Sequence, residues 1–239
     1  MVTKPITAST AAFTSRVRHT RVKLCGLSTA QDVDYAVALG ADAIGLVFYP
    51  PSPRCVSIER AAALARRVPA FVLIVGLFVN ADDAMFKQVL DSVPLSMVQF
   101  HGDETPLRCA TLTKSTNLRW LRALRVGPNT QPTDLVKSSF HYANATGLVL
   151  DTWVDSYGGG GKAFDWSLIP ADIANQAILS GGLNTQNVAD AIYSMHPYAV
   201  DVSSGIEVPG AKGVKDHVRM AAFIDTVRAT DTAIEATGV

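Results

Sequence analysis

The chain has 239 residues, 48% of them hydrophobic, which is enough for one large core and matches the length at which α/β barrels form single domains. Its 21 Lys and Arg balance its 21 Asp and Glu, so no global field draws it to nucleic acid or anionic lipid, and a small anionic ligand must be held by local groups. The longest apolar run, residues 71–79, has strand length and falls far short of the ~20 residues that span a bilayer, so no membrane partner is expected.

In chain order, the first feature is a basic start. Lys4, Arg16, Arg18, Arg21 and Lys23 all precede the first acidic residue, Asp32, and Ser and Thr are frequent there. This resembles an organelle transit peptide, but no amphipathic apolar face is clear, and residues 1–20 read as a flexible extension. Cys25, Cys55 and Cys109 are odd in number and widely spaced, with no CxxC pair. They fit neither a disulfide framework nor a zinc site, and they suit a reducing compartment such as the cytoplasm.

From Arg21 onward, short apolar runs alternate with longer helix-like stretches. Strands are expected at 22–25, 43–48, 71–79, 97–100, 120–126, 147–151, 177–180 and 198–202. Helices are expected at 29–39, 58–68, 81–92, 184–195 and 215–229. Ser57 before Ile58-Glu59 and Asn80 before Ala81-Asp82-Asp83 read as N-caps, and Gly40 reads as a C-terminal stop. The fourth and sixth helical stretches are the weakest; residues 140–146 and 154–170 read largely as loop. Eight apolar strands alternating with helices predict parallel strands covered by helices. A closed barrel and an open doubly wound sheet both fit. The count of eight favours a (β/α)8 TIM barrel over residues 21–230, followed by a tail at 231–239. No GxGxxG follows the first strand, which weakens a dinucleotide-binding alternative.

In a barrel, chemistry collects where strands end and βα loops begin. That rule singles out Cys25 after the first strand, Arg54 in the loop after the second, Gln99 and His101 at the end of the fourth, and Asp151 at the end of the sixth. It also singles out Gly181 and Gly182 after the seventh strand and Ser203, Ser204 and Gly205 after the eighth. Glycine lets backbone N–H groups approach an anion closely, and the last two loops are the usual phosphate position in this fold. The plainer alternative is two ordinary tight turns. Side-chain alternation puts Lys23 and Cys25 on one face of the first strand and Asp201 and Ser203 on one face of the eighth. In a closed barrel these strands are neighbours, so a Lys23–Asp201 ion pair is expected inside it. Asp151 ends an otherwise apolar strand, where a carboxylate is costly unless solvated or hydrogen-bonded. A cysteine and an aspartate facing one mouth would make a base and acid pair.

Taken together, Lys23-Leu-Cys-Gly26, Ser52-Pro-Arg54, Val75-Gly-Leu-Phe-Val-Asn80, Val98-Gln-Phe-His-Gly102 and Leu150-Asp151 resemble successive signatures of the phosphoribosylanthranilate isomerases. So do Gly158-Gly-Gly-Gly-Lys162, Phe164-Asp-Trp166, Leu179-Ser-Gly-Gly-Leu183, Asp201-Val-Ser-Ser-Gly-Ile-Glu207, Gly213 and Lys215-Asp216. The resemblance implies a step of tryptophan biosynthesis: the Amadori rearrangement of N-(5-phosphoribosyl)anthranilate, without cofactor or metal, by a monomer or homodimer. It implies Asp151 as general acid toward the furanose ring oxygen and Cys25, as thiolate, as general base at C2′. It also implies that Gly181, Gly182, Ser203, Ser204 and Gly205 seat the phosphate and that Arg54 binds the anthranilate carboxylate. Gln99 and His101 would line the pocket, with Asp201 supporting it from inside the barrel. Gly160 stands where Ser or Thr is usual, and Cys55 where an aromatic residue is common. Two rivals are weighed against this: another phosphosugar isomerase or epimerase, and a non-catalytic barrel that keeps only the phosphate seat. The epimerase needs a metal cluster that His19, His101, His141, His196 and His217 do not suggest, and the retained Cys25 and Asp151 speak against the non-catalytic barrel.

Overall fold

The computed structural model describes residues 19–152 and 163–237. The strands are β1 (Arg21–Cys25), β2 (Ala43–Phe48), β3 (Leu73–Phe78), β4 (Met97–Phe100), β5 (Arg119–Val126), β6 (Gly147–Thr152), β7 (Ile178–Leu179) and β8 (Ala199–Val202). All are parallel, each pairs with the next, and β8 pairs with β1 to close a barrel. The helices are α1 (Ala30–Ala38), α2 (Ile58–Ala65), α3 (Asp83–Ser92), α4 (Pro106–Thr113), α5 (Pro132–His141), α6 (Ala171–Ala174), α7 (Val188–Met195) and α8 (His217–Thr237).

Alternation along the strands divides the core in two. Outward-facing Val22, Leu24, Ile44, Leu46, Phe78, Val98, Leu150 and Val200 join the helices in one large apolar cluster. Phe48, Phe78, Phe86, Phe100 and Trp120 run through it as a chain of ring contacts with centroids 4.9–5.9 Å apart. Inward-facing Ala43, Val75, Leu121, Ala123 and Val149 form a second, small cluster inside the barrel. Above it the interior turns polar, with Lys23, Gln99, Asp151 and Asp201 all buried. The Lys23 ammonium lies 2.8 Å from an Asp201 oxygen, and the two residues are register partners across the β1–β8 seam.

Helix starts follow capping chemistry. The side chains of Thr29, Ser57, Asp82 and Thr105 accept from backbone N–H groups three residues on, and Gln131 forms a capping box with Asp134. Asp82, and not Asn80, therefore caps α3. Asn80 takes a left-handed turn at φ 50, and its side chain instead accepts from the Asp103 N–H at 2.8 Å. Gly40 stops α1 as expected, at φ 77.

Several expected boundaries move. The third strand begins at Leu73, not at residue 71: Phe71 sits at φ 71 with its ring fully exposed, because Pro69 and the turn after it keep the chain out of the sheet. Helix α2 ends at Ala65, and residues 184–187 form a turn ahead of α7. Residues 140 and 141, expected in loop, end α5. The largest difference is at the C-terminus. The expected tail from residue 231 is helix to Thr237, and within it Asp231 and Ile234 are buried. The Asp231 carboxylate accepts from the Thr20 N–H at 2.7 Å and from the Thr20 hydroxyl at 2.6 Å, so Thr20 belongs to the barrel and not to the extension. Residues 1–18 lie outside the described residues. At the end where the strands begin, a basin is bordered by Leu73, Met97, Leu121 and Tyr198, with Phe71 at its rim.

Candidate active site

At the opposite end, where the strands finish, one pocket opens partly to solvent. Cys25, Arg54, Gln99, His101, Asp151, Gly181, Gly182, Asp201, Ser203 and Ser204 all line it. The sulfur from β1 and the carboxyl group from β6 thus share one chamber. Gly205 does not line it. It borders the adjoining depression with Gly182 and Ser204, and a Cβ there would stand 1.9 Å from the Leu183 carbonyl oxygen, so its part is close packing between the last two loops. The Gly158–Lys162 run, with Gly160, lies outside the described residues.

Cys25 ends β1 on its inner face, and its sulfur fills space left by Gly45: a Cβ at Gly45 would come within 2.6 Å of Sγ. Burial pushes the Cys25 thiol above its ordinary pKa; the Lys23 and Lys215 charges oppose the shift and Asp201 adds to it. Lys23 precedes Cys25 by two residues and shares its inner face of β1. Burial alone would lower the Lys23 pKa, but Asp201 and then Cys25 reverse this and hold it above the ordinary lysine value.

Asp151 is held on both oxygens. Oδ1 accepts from the Thr152 N–H at 2.9 Å, and Oδ2 lies 2.9 Å from His101 Nε2. The Gln99 amide nitrogen stands 3.0 Å from His101 Nδ1. An amide nitrogen only donates, so Nδ1 accepts and Nε2 carries the hydrogen that points at Asp151. Gln99, His101 and Asp151 therefore form a fixed chain across the ends of β4 and β6. Behind His101, Glu104 accepts from the Gly102 and Asn80 N–H groups and pairs with Arg122 at 3.0 Å, which braces this corner of the mouth.

Arg54 reaches the pocket from the β2–α2 loop, and it does not arrive alone. Its Nε and Nη2 donate to the two oxygens of Glu207 at 2.6 and 3.0 Å. Two of its five N–H donors are thus engaged, and Nη1 keeps its hydrogens for a ligand. Glu207 also accepts from the Lys215 ammonium at 3.1 Å, and Lys215 donates to the Ser203 carbonyl at 2.9 Å. Burial would raise the Glu207 pKa, but Arg54 and Lys215 outweigh it and hold the carboxyl below its ordinary value. Glu207 and Lys215 stand in the sequence motifs without a role. Their function shows only once the loop after β8 folds back over Arg54.

The remaining wall is the turn after β7, where Gly181 and Gly182 take φ 78 and 67, a region that other residues rarely adopt. A Cβ at Gly181 would strike the Thr152 N at 2.3 Å, so the turn passes hard against the end of β6. Facing it, Ser203 and a single 3-10 turn (Ser204–Ile206) follow β8. Three side-chain atoms of pocket-lining residues are buried without a partner: Gln99 Oε1, Thr152 Oγ1 and Asp201 Oδ1. Sequence reasoning missed Tyr49, Ser52, Thr152 and Ser180 as lining residues; the last three sit one or two positions from a residue that the strand-end rule did select, and Tyr49 directly follows the end of β2.

Residues 22–226 match the family model described as N-(5'phosphoribosyl)anthranilate (PRA) isomerase. The chain belongs to the phosphoribosylanthranilate isomerase family. The N-(5'-phosphoribosyl)anthranilate isomerase of Ralstonia nicotianae is 56% identical over 229 residues, covering 92% of this chain and 97% of that protein. A solved phosphoribosyl anthranilate isomerase in complex with reduced 1-(o-carboxyphenylamino)-1-deoxyribulose 5-phosphate superposes with a TM-score of 0.75 at 36% identity, over 88% of this chain and 100% of that one. A structure of monomers of the dimeric isomerase from Thermotoga maritima gives 0.74 at 35% identity, again over 88% and 100%. Family membership fits the closed barrel and the isomerase class of the chain.

Proposed function

We propose that this chain rearranges N-(5'-phosphoribosyl)anthranilate to 1-(2-carboxyphenylamino)-1-deoxyribulose 5-phosphate, with Asp151 as general acid and Cys25 as general base. The observation that carries this assignment is the chamber shared by the β1 sulfur and the β6 carboxyl group, with the two glycine-containing loops beside them. Asp151 gives a proton to the furanose ring oxygen as the C1′–O bond breaks, and the anthranilate nitrogen's electron pair forms the Schiff base. The Cys25 thiolate then takes the C2′ proton. The C2′–H pair becomes the C1′–C2′ double bond, and the imine pair returns to nitrogen. Tautomerisation of the resulting enolamine leaves the ketose. Substrate and product are isomers, so the sequence balances without an outside oxidant or reductant.

The binding roles follow the geometry. Backbone N–H groups around Gly181, Gly182, Ser203 and Ser204 receive the phosphate, with Gly205 shaping the seat. Arg54 meets the anthranilate carboxylate with Nη1 and the free hydrogen of Nη2, the edge that Glu207 leaves open. Asp201 and Gln99 line the chamber that receives the sugar. His101 orients Asp151 through its Nε2–H.

The three cysteines are free, which supports a reducing compartment, and we place the chain in the cytoplasm. Among the described residues no helix is long and apolar enough to cross a membrane. We further propose a homodimer, on the strength of the exposed Phe71 beside the apolar basin and of the dimeric Thermotoga maritima relative. The activity test follows the loss of anthranilate fluorescence with the phosphoribosyl substrate. Cys25→Ala and Asp151→Ala should each lower turnover at least ~10²-fold. Normal turnover in either variant would remove that residue from the mechanism.

A further inference from the structure

Cys25 must lose a proton before it can take one from carbon, and its buried position opposes that loss. A thiolate there needs a cation within reach. Five other segments present charged or titratable groups around it. From the loop after β8 comes Lys215, whose ammonium is shared among the Ser203 carbonyl, the Ser203 hydroxyl and Glu207. From the loop after β2 comes Arg54, packed on Gly26 next to Cys25 but with its charge turned to Glu207. Across the pocket stand Asp151 on β6 and His101 after β4, bonded to each other. From β8 comes Asp201.

Lys23, on the cysteine's own strand, differs from the other cations. It lies two residues before Cys25 on the same inner face, with 5% of its side chain exposed. Its ammonium makes one carboxylate bond, 2.8 Å to Asp201 Oδ2, and of the cations around the Cys25 thiol its charge opposes the upward shift most. Asp201 is held in turn by the seam between β1 and β8, which fixes where the ammonium points.

We propose that Lys23 is the positioning residue of the base: its buried ammonium bridges the Asp201 carboxylate and the Cys25 sulfur, so that the thiolate is held from below while its open side faces the substrate. This rests on Cys25 being the base. Lys23 keeps its proton throughout. When the sulfur takes the C2′ hydrogen, the local charge rises by one and the Lys23–Asp201 pair remains. Asp201 plays the opposite part, fixing the ammonium while its own negative charge resists the thiolate.

The two charges therefore predict shifts of opposite sign, which a structural pair would not give. The test is the pH dependence of Cys25 alkylation by iodoacetamide in the whole protein without substrate, read by mass spectrometry of the Cys25 peptide so that Cys55 and Cys109 do not interfere. Lys23→Met should move the midpoint up by about one pH unit or more, a tenfold loss of thiolate at a given pH. Lys23→Arg should restore most of it, and Asp201→Asn should move it down. The limb of kcat/KM that rises with pH should follow the alkylation midpoint in each variant. An unmoved midpoint in folded Lys23→Met, or movement of both variants in the same direction, overturns the proposal. If Lys23→Met does not fold, Asp201→Asn decides alone: a downward shift supports the bridge, and no shift or an upward one overturns it. The alkylation needs no turnover, so a Cys25→Ala enzyme that still turns over would refute the base assignment separately, while the titration still decides the bridge.

Discussion

Arg54 and Glu207 are 153 positions apart and form a fork-to-fork ion pair at the rim of the site. Glu207→Gln keeps the shape but loses the charge, leaving a buried guanidinium without its counter-ion. Arg54 should then lose its aim, raising KM by about tenfold with little change in kcat, as expected when a binding group and not a reacting one is disturbed. Stability should fall by about 1–3 kcal/mol at neutral pH. Because the folded-state pKa of Glu207 lies below its ordinary 4.5, its contribution is complete above that value and is lost as pH falls through the lowered one. Thermal unfolding of wild type and variant should therefore differ at neutral pH and converge in acid; a gap that stays constant down to acid pH would contradict the assigned role. At this scale the sequence showed some residues and hid others for a physical reason. Cys25, Gln99, Asp151 and Asp201 are legible because strand alternation and strand ends fix where they point. The Glu207–Lys215 brace is not, because both residues lie in a loop whose return path no periodicity encodes.

Elements with a strong apolar stripe or a capping residue next to the first turn were legible close to their bounds, as α1 and the start of α2 show. Helices α4, α5 and α6 carried weaker signals. Helices α4 and α5 rest on Pro at the first turn and a polar cap more than on a broad apolar face, and α6 has only four residues. Helix α8 was cut short in expectation because Thr230, Asp231 and Thr232 look like a surface end. Tertiary contact overrides that composition: Asp231 is buried because it receives both donors of Thr20. Asp231→Ala should lower the unfolding free energy by about 1–3 kcal/mol, the cost of leaving buried donors without a partner. Denaturant unfolding measures it, and a loss under about 0.5 kcal/mol, the usual scale of surface changes, would return residues 231–237 to the status of a tail.

At the scale of the molecule, the eightfold alternation was enough to name the architecture, and the Lys23–Asp201 pair was foreseeable only because a closed ring makes first and last strands neighbours. The lower face was not foreseeable. Phe71 is an apolar residue at the head of an apolar run, and the apolar pattern outweighed the one local sign, Pro69, that its ring leaves the sheet. If a second copy covers it, Phe71→Asp should dissociate the pair without unfolding the chain, since Asp tolerates a left-handed backbone better than Phe does. Light scattering should then give twice the 25.4 kDa chain mass for the wild type and one chain mass for the variant. A wild type at a single chain mass would reject the homodimer.

The Thr20–Asp231 link has a consequence for how the molecule is strung together. Head and tail of the described chain are tied at the same rim, beside the seam where the eighth strand meets the first. From Thr20 to Asp231 the chain is thus nearly a loop in space although it is a line in sequence. Splicing the two ends and opening a connection elsewhere would leave every strand with the neighbours it has now, and the chamber on the far side would be built from the same eight staves.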